Sequence, residues 1–470
     1  MRIYNLEERN NKNIYEFLYE SIKQDIISGV LKADEKLPSK RVFARNQGIS
    51  IVTVENTYGQ LLAEGYIYSK PQSGFFVSYI EKQIVADPPQ VNFPTNIPTI
   101  NQKDDVINLI SNHTPIDNFP FSTWTRVMRK LLTEREEKLL TSPSTGGVYE
   151  LRIAIAKHLL EFRGIVCDPD QIIIGAGTEY LYGLIVQLLG RNKVYGLENP
   201  GSKKIKRIYE ALGVKTTNLE IDDEGIILSP EYLTIPDIIQ ISPSHQFPMG
   251  KVMSIGRRYG ALQWASEKSD RYIIEDDYDS EFRLQGRPIP SLFSIDATDK
   301  VIYFNTFTKS LTPTIRISYM VLPKPLLNQF NKSLGFYSCT VSNFEQYTLA
   351  EFINEGHFER HINRMRNNYR SLRDELIDAL LNSKIGDALS ITEEDSGIHF
   401  LLKIKTDLSD DEIKKKAIEH GVQLAFVSDY YSYNYTSLEN KYEHMAIINY
   451  SGLLRADINK VAEALCYALS

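Results

Sequence analysis

The sequence predicts a multidomain chain with a small, mostly helical α+β module at its start and a large α/β domain after it. Helical periodicity followed by a hairpin pattern fills residues 1–78. From about residue 106 to residue 470, short apolar runs alternate with helical patterns, which is typical of a largely parallel sheet covered by helices. Residues 79–105 are rich in Pro, Asn, Gln and Asp and predict an extended linker.

Composition places the chain among globular proteins and leaves local nucleic-acid binding open. Hydrophobic residues make up 42% of the 470 residues and charged residues 24%. The formal net charge of −7 gives no overall attraction to nucleic acid. Residues 1–78 carry a net charge of +1 and the rest −8, so the charge is unevenly distributed.

Cysteine spacing and hydropathy argue against a metal site, a signal peptide and a membrane span. Cys167, Cys339 and Cys466 lie far apart with no CxxC or Cys/His spacing, so we expect buried free thiols and no zinc. The first twenty residues lack an apolar stretch. Residues 172–190 are the most apolar stretch, but they contain Glu179 and four glycines. We therefore expect a cytoplasmic protein.

The first module has the pattern of three helices followed by a hairpin. Apolar residues recur every four positions in the first helix, which Gly29 ends: Ile14, Leu18, Ile22 and Ile26. Ser39 and Ser50 are candidate N-caps of two further helices, with Gly48 in the turn between them. The third helix, residues 51–64, is predicted to bury Val54, Tyr58, Leu61 and Leu62. Residues 66–68 and 74–77 form the predicted hairpin.

This order of elements predicts a DNA-binding module, because the major groove accommodates one α-helix that presents short side chains at its start. The alternative is a helical bundle with ordinary surface charges. Side chains at the start of the third helix would meet bases, while basic residues on the preceding helix and the hairpin would meet the backbone. The candidate DNA-contacting residues are Ser39, Lys40, Arg41, Arg45, Thr53, Asn56, Lys70 and Gly74.

The module resembles the GntR-type winged helix-turn-helix. The matching motifs are LPSKR at residues 37–41, LLAEGY at 61–66 and SGFFV at 73–77. In that family the residue after the Ser cap is often an Arg that reads bases, whereas this chain has Ile51. An apolar side chain can contact only a thymine methyl group, so the operator of a relative cannot be carried over.

A lysine in the motif FNTFTKSLTPTIRISYM indicates covalent chemistry. Lys309 follows the apolar run 301–304, and a lysine at a strand end among small hydroxyl residues suits a Schiff base with an aldehyde. Arg316 lies seven residues further on and could bind a phosphate, with Thr306 and Thr308 as hydroxyl donors. Surface charges are the alternative for such a pair taken alone.

Three further motifs predict the rest of a cofactor site. In IIEDDYDSEF, Asp276 ends an apolar strand and could keep a ring nitrogen protonated, with Tyr278 pointing the same way. In IIIGAGTEYL, Gly177 and Thr178 stand between a strand and a helix, as in a phosphate cradle. In ISPSHQFPMG, His245 and Gln246 would face the same crevice, although a structural role for the histidine is favoured over that of a base.

Together the four motifs resemble an α/β fold-type I aminotransferase-like domain, and with the winged helix-turn-helix the chain resembles the MocR/GabR subfamily of GntR regulators. The resemblance implies pyridoxal 5′-phosphate (PLP) as cofactor, Lys309 as its Schiff-base lysine, Asp276 on the pyridine nitrogen and Tyr278 on the ring oxygen. It implies a large subdomain at about 106–330, a small one at about 331–470, and a head-to-tail homodimer. The implied phosphate ligands are Gly177, Thr178, Thr306, Thr308 and Arg316.

The chain departs from this pattern at the expected substrate side. Relatives usually carry an aromatic residue that can stack on the pyridine ring where this chain has Ser202. The stretches FVSDYYSY and MAIINYSG contain no Arg to grip a substrate carboxylate. Lys204 is a substitute cation, and Asp429 suggests an effector with a cationic or hydrogen-bond-donating end. GABA-like ω-amino acids fit such a site badly.

We therefore expect a transcription regulator rather than an enzyme. In this interpretation, a small amine, an amino acid or PLP itself binds the aminotransferase-like domain with little or no turnover and changes how the protein binds a double-stranded DNA operator. The alternative is a catalytically active PLP-dependent aminotransferase with an appended DNA-binding module. A third interpretation is an α/β enzyme whose N-terminal module only dimerises.

Overall fold

The computed structural model describes residues 3–9, 12–80, 106–110, 115, 118–284, 289–393, 397–432 and 442–469. The chain divides into two compact units, Met1–Ile100 and Asn101–Ser470. Most of the predicted linker, residues 81–105, lies outside the described residues. The domain and subdomain boundaries given above therefore stay predictions.

The first unit is a helix, a helix-turn-helix and a hairpin in the predicted order. Its elements are α1 (Ile14–Ile27), α2 (Lys40–Gln47), α3 (Ile51–Ala63), β1 (Ile67–Lys70) and β2 (Gly74–Val77). The two strands are antiparallel, with Ile67 opposite Val77. The core forms where α1, α2 and α3 meet, and its buried side chains include Leu18, Ile22, Ile26, Phe43, Val54, Tyr58 and Leu61.

Both predicted N-caps form in the helix-turn-helix. The Ser39 side chain accepts a hydrogen bond from the backbone N–H of Val42, and that of Ser50 accepts one from Thr53 at 3.1 Å. Gly48 ends α2 at φ 66°, a left-handed conformation that glycine adopts without strain. These local signals account for the turn that separates α2 from α3.

The prediction that α3 buries Leu62 is wrong. Leu62 is 41% exposed, whereas Thr57 is fully buried and its hydroxyl donates to the carbonyl of Thr53 at 2.9 Å. The 3.6-residue period brings Val54, Thr57 and Leu61 to one face, and the residue after Leu61 lies about 100° further round the helix. The buried stripe is therefore narrower than the sequence pattern suggested.

The second unit is built on an eight-stranded mixed sheet with the order β4-β11-β10-β9-β8-β5-β6-β7. Five consecutive strands, from β10 to β6, run parallel, and β11 is antiparallel to both of its neighbours. This confirms the prediction of a largely parallel α/β domain. The strands are β4 (Ile172–Ala176), β5 (Val194–Asn199), β6 (Lys215–Asp222), β7 (Gly225–Ile226), β8 (Ile238–Ile241), β9 (Tyr272–Asp276), β10 (Val301–Thr306) and β11 (Ile317–Val321).

A second, antiparallel sheet has the order β12-β13-β16-β15. A separate parallel pair joins a strand near the start of the unit, β3, to β14 near its end. The remaining strands are β3 (Ile107–Asn108), β12 (Leu389–Thr392), β13 (His399–Ile404), β14 (Val422–Gln423), β15 (Ala425–Phe426) and β16 (Met445–Asn449).

Helices lie between these strands and bury an apolar face against them, as in α10, where Ala261, Trp264 and Ala265 are buried. The helices are α4 (Phe121–Glu134), α5 (Glu136–Leu140), α6 (Tyr149–Arg163), α7 (Thr178–Leu189), α8 (Lys203–Ala211), α9 (Pro230–Leu233), α10 (Ile255–Ser266), α11 (Leu292–Ile295), α12 (Phe307–Ser310), α13 (Lys324–Ser333), α14 (Asn343–Asn354), α15 (His357–Leu381), α16 (Asp410–Glu419) and α17 (Ile458–Leu469).

The three cysteines are free thiols, but only one is fully buried. Cys339 is buried, whereas Cys167 and Cys466 are half-buried. Within the described ranges, no helix is both long and apolar enough to span a membrane. The same ranges hold no cluster of three or more His, Cys, Asp or Glu side chains that could bind a metal ion.

Candidate functional site

A cavity of about 240 Å³ opens where the carboxyl ends of β5, β8 and β9 meet. The carboxyl edge of parallel strands is where ligands bind in such sheets, because loops and helix starts converge there. Three predicted site residues, Asp276, Tyr278 and Lys309, line this cavity together. Sequence reasoning missed several other lining residues, among them Glu198, Lys206, Asn218, Gln240, Tyr430 and Ser432.

Asp276 ends β9 with its carboxylate buried and held by two side chains. One of its oxygens, Oδ2, accepts a hydrogen bond from the Tyr182 hydroxyl at 3.0 Å and lies 3.5 Å from Gln240 Nε2. The other oxygen has no hydrogen-bond partner among the described residues. Burial, with a further contribution from the neighbouring Asp277, raises the pKa of Asp276 to about 6. The side chain is therefore fixed in orientation but retains a free acceptor.

Lys309 stands in α12, directly after β10, and is half-buried. Burial lowers the pKa of its amine, although the carboxylates of Asp279 and Asp276 oppose that change. Its Nζ atom has no hydrogen-bond partner within the described part of the chain. A lysine whose ammonium is partly desolvated and unbound loses its proton more readily, which is what a nucleophilic amine needs.

Tyr278 lines the cavity, but the predicted histidine beside it does not. The Tyr278 hydroxyl hydrogen-bonds His245 Nδ1 at 3.3 Å, and the same nitrogen lies 2.8 Å from Asp279 Oδ2. Burial alone would lower the pKa of His245, but the Asp279 carboxylate raises it overall. Gln246 is also absent from the cavity lining, because its amide bonds backbone groups of Pro200 and Met249. The expectation that both residues face the crevice is corrected.

In the predicted phosphate cradle, the Arg316 guanidinium packs closely against Gly177. A methyl group on Gly177 would lie 2.2 Å from Arg316 Nη2, so only glycine lets the guanidinium approach this turn. Arg316 itself has φ 51°, a conformation rare for a residue with a side chain and often found at functional sites. Thr178 begins α7 next to them, where backbone N–H groups are free to bind an anion.

The hydroxyl groups of the two predicted phosphate ligands Thr306 and Thr308 differ in burial. Thr306 is buried, and its hydroxyl accepts hydrogen bonds from the Thr308 backbone N–H at 3.1 Å and from Ser318 Oγ at 2.8 Å. It also donates to Thr308 Oγ1 at 2.8 Å. Because these contacts use its hydroxyl, Thr306 holds the turn before Lys309 in place. Its predicted role as a phosphate donor stays a prediction, and Thr308 is half-buried beside it.

Neither predicted effector residue lines the cavity. Asp429 pairs with Lys414 at 2.7 Å and accepts the Phe426 N–H at 2.9 Å, so its charge is already compensated. Lys204 is 71% exposed and pairs with Glu179. The expectation of a cationic effector end at Asp429 is therefore wrong, since the carboxylate stands outside the cavity with its own partner. Two other lysines of the same helix, Lys203 and Lys206, line the cavity.

Basic residues of α2 stand free for a polyanion. Arg41 and Arg45 are exposed and form no ion pair within the described residues. Lys40 is partly compensated by Glu55 at 3.3 Å. At the hairpin, the Lys70 ammonium lies 4.8 Å from the centre of the Phe76 ring. Because exposed, unpaired guanidinium groups bind phosphates best, Arg41 and Arg45 are the strongest backbone-contact candidates.

The start of α3 presents more apolar than polar surface. Ile51 is 45% exposed and Val52 62% exposed. Thr53 is half-buried, with its hydroxyl 2.8 Å from Ser50 Oγ, whereas Asn56 is exposed. Asn56 is therefore available for hydrogen bonding to a base, while Ile51 and Val52 offer methyl groups to a groove.

A winged helix-turn-helix joined to an α/β domain with a lysine at the carboxyl end of its sheet defines a DNA-binding regulator with an aminotransferase-like domain. Residues 14–77 match the family model described as "Bacterial regulatory proteins, gntR family". The chain is 39% identical to the uncharacterized HTH-type transcriptional regulator YdeL of Bacillus subtilis, over 90% of each chain. It is 32% identical to the probable rhizopine catabolism regulatory protein MocR of Rhizobium meliloti, over 95% of this chain and 92% of that relative.

The second unit has the fold of an aminotransferase. A crystal structure of Pyrococcus horikoshii kynurenine aminotransferase, solved in complex with PMP, matches 78% of this chain and 92% of its own with a TM-score of 0.65 and 23% identity. That likeness shows the fold alone. With the two relatives above, it shows that this chain belongs to the MocR/GabR subfamily of GntR transcription regulators.

Proposed function

We propose that this regulator binds PLP at Lys309 and senses a small amine, an amino acid or PLP itself through that site. The observation that carries the proposal is a cavity that Lys309, Asp276 and Tyr278 line together. The lysine amine is partly desolvated, and one carboxylate oxygen of Asp276 has no hydrogen-bond partner among the described residues. Each of these groups matches a different part of the cofactor. The solved aminotransferase with PMP supports the same assignment by fold.

The residues present fit the cofactor. When bound, PLP supplies an aldehyde that condenses reversibly with amines and a protonated ring that withdraws electrons. Lys309 would attach to the aldehyde, and Asp276 would keep a proton on the ring nitrogen. Gly177, Thr178 and Arg316 would hold the phosphate, because the glycine admits the guanidinium at a helix start where backbone N–H groups are unpaired.

Two polar residues behind Asp276 would fix its orientation. Tyr182 and Gln240 contact the Oδ2 oxygen, so the other oxygen is directed to a single partner. Tyr278 would donate a hydrogen bond from its hydroxyl to the ring oxygen, since burial raises the pKa of that hydroxyl well above its ordinary value and keeps the phenol protonated. These roles concern binding and orientation and require no turnover.

We propose little or no transamination. Transamination requires the Cα–H bond of the substrate to stand perpendicular to the cofactor ring. Aminotransferases fix this orientation by binding the substrate carboxylate with an arginine. The cavity has no arginine among its described lining residues. The competing function, an active aminotransferase, would have to position its substrate with lysine, asparagine and serine side chains.

The regulator would act on double-stranded DNA in the cytoplasm as a head-to-tail homodimer, with α3 in the major groove of each half-site. Arg41 and Arg45 would contact backbone phosphates, and Asn56 would contact a base. An effector can change DNA affinity only by binding two states of the protein unequally, and such coupling typically amounts to ~1–3 kcal/mol.

The cofactor assignment is tested on the purified full-length protein. With PLP added, we expect a visible absorbance band and, after borohydride reduction, a modified peptide containing Lys309. Lys309→Ala should lose both, while Lys324→Ala, a matched change at an exposed lysine, should keep both. A colourless protein with no modification at position 309 would refute the assignment.

Function itself is tested by mapping the DNA that the protein occupies in cells, with and without Lys309→Ala. We expect the variant to bind the same sites while losing its response to the effector. Candidate amino acids are then added to the loaded protein and released keto acid is measured. Sustained release over many turnovers would favour the enzyme, whereas a spectral change without release supports the regulator.

A further inference from the structure

The cavity continues from Lys309 to a second polar wall that the cofactor contacts leave unused. This wall, which we call the α8 wall, consists of Lys206 on α8, Asn218 on β6 and Ser432. The Lys206 ammonium donates to Ser432 Oγ at 3.3 Å, and Ser432 Oγ donates to Asn218 Oδ1 at 3.2 Å. The α8 wall therefore presents an ammonium, a hydroxyl and an amide to the same space as Lys309, and Lys203 at the start of α8 lines that cavity as well.

The local structure holds the α8 wall in place. The backbone N–H of Ser432 donates to Asn199 Oδ1 at 3.0 Å, and the Asn199 amide is anchored on Glu220 at 3.0 Å. The small Ser202 also lines the cavity and caps the start of α8. A serine at this position leaves more of the cavity open than a large side chain would.

No ion pair among the described residues neutralises the Lys206 charge on the α8 wall. Lys206 is half-buried, and no carboxylate of the described residues lies within ion-pair distance of it, whereas Lys204 one half-turn earlier pairs with Glu179. Glu198 faces the same cavity, but burial raises its pKa to about 8, so at neutral pH its carboxyl is mostly uncharged. The start of α8 adds the positive end of its helix dipole.

We infer that the α8 wall binds a carboxylate of the effector, with Lys206 as its cation and Ser432 and Asn218 as hydrogen-bond partners. The effector is then an amino acid that carries a second carboxylate in its side chain, such as aspartate or glutamate. This inference rests on the proposed function, because it places the effector in the cavity that holds Lys309. It replaces the sequence-based expectation of a cationic end at Asp429.

The experiment compares ligands that differ by one charge. Calorimetric titration of the PLP-loaded full-length protein uses L-aspartate and L-glutamate against their neutral amides, L-asparagine and L-glutamine. We expect the acids to bind at least about tenfold more tightly than the amides, the difference that 1.4 kcal/mol provides. Equal affinity of acids and amides would overturn the inference.

Variants locate the effect on the α8 wall. Lys206→Gln should reduce the affinity for the acids to that for the amides, and Lys206→Arg should keep most of the preference. Arg207→Gln removes a charge from the next, exposed residue of the same helix and should change nothing. A preference that survives Lys206→Gln, or that disappears equally in Arg207→Gln, would overturn the assignment to Lys206.

Failure of this inference can be distinguished from failure of the proposed function. Borohydride modification at Lys309 is measured on every variant alongside the titrations. Modification at Lys309 without an acid preference overturns the α8 wall and leaves the cofactor site intact. An acid preference that depends on Lys206, in protein that cannot be modified at Lys309, keeps the α8 wall as an anion site and overturns the cofactor assignment.

Discussion

Replacing the buried Asp276 by asparagine should stabilise the cofactor-free protein while weakening its affinity for PLP. Burial raises the pKa of Asp276 from 3.8 to about 6. Since one pKa unit corresponds to 1.36 kcal/mol, keeping this carboxylate charged in the folded protein costs about 3 kcal/mol above pH 6. Asparagine carries no charge and retains an acceptor for the Tyr182 hydroxyl. The free energy of unfolding should therefore increase by at most about 3 kcal/mol.

The sign of the pH dependence follows from the same pKa values. The folded state binds the proton more tightly than the unfolded state, so the wild-type protein loses stability relative to Asp276→Asn as pH rises from about 4 to about 6. Urea unfolding at about pH 4 and about pH 8 measures the difference. The chain's two tryptophans, Trp124 and Trp264, lie in the second unit, so their fluorescence reports on that unit.

Two comparisons make this prediction decisive. Asp378→Asn makes the same chemical change at an exposed position and should alter stability by no more than about 0.5 kcal/mol at either pH. PLP titration of Asp276→Asn should show weaker binding, because the variant cannot pair its charge with a protonated ring nitrogen. A variant less stable than wild type at high pH, or one that binds PLP equally well, would refute the reasoning.

Three further predictions concern the DNA-binding module and the site lysine. Changing both Arg41 and Arg45 to Gln should weaken operator binding in fluorescence-anisotropy titrations. It should also make the negative slope of log affinity against log salt shallower by about 0.9 for each lost phosphate contact. The control is the same change at Lys12, outside α2 and α3, which should leave the slope unaltered. Ser50→Ala removes an N-cap worth about 1 kcal/mol and should speed amide hydrogen exchange in the first turn of α3, and unchanged protection would show that the cap contributes nothing. The rate at which Lys309 attaches to PLP should increase with pH, and the midpoint of that increase should lie below the ordinary lysine pKa of 10.5, because burial lowers the pKa of this amine. A midpoint at or above 10.5 in stopped-flow measurements would contradict the assignment.

Local sequence signals were sufficient to predict the first unit. The Ser39 and Ser50 caps and the left-handed Gly48 depend only on neighbouring residues, so the sequence reveals them directly. The prediction that Leu62 is buried was wrong, because apolar character alone does not determine which face of a helix is buried. At 41% exposure, it stands beside the buried stripe rather than in it.

The candidate cofactor site was predictable only where strand ends carry a distinctive residue. Asp276 and Lys309 could be found because one ends an apolar strand and the other stands just after one, and parallel strands end at one edge of a sheet. Tyr182 and Gln240, which orient Asp276, come from other elements, and their contacts span 94 and 36 residues of sequence. No local pattern identifies such partners.

The effector side was misread for a related reason. Asp429 and Lys204 were chosen for their charge, but charge alone does not say whether a side chain already has a partner. Lys414 and Glu179 compensate them in the folded chain. Lys206 was not singled out because three lysines in four positions look like one solvated face, whereas in the folded chain Lys203 and Lys206 line the cavity and Lys204 is exposed.

The electrostatics of the cavity bear on how binding there could control DNA affinity. The cofactor-free second unit keeps Asp276 charged at a cost of about 3 kcal/mol, and a protonated ring nitrogen would recover much of that free energy. Coupling between two sites usually requires only ~1–3 kcal/mol. The free energy available when a cationic ring meets Asp276 is therefore of the size that a regulator needs, without any chemical turnover, and the Lys206 ammonium is a second charge on which a bound anion could act. A ligand that left both charges as they are in the empty cavity would have to obtain its differential affinity elsewhere.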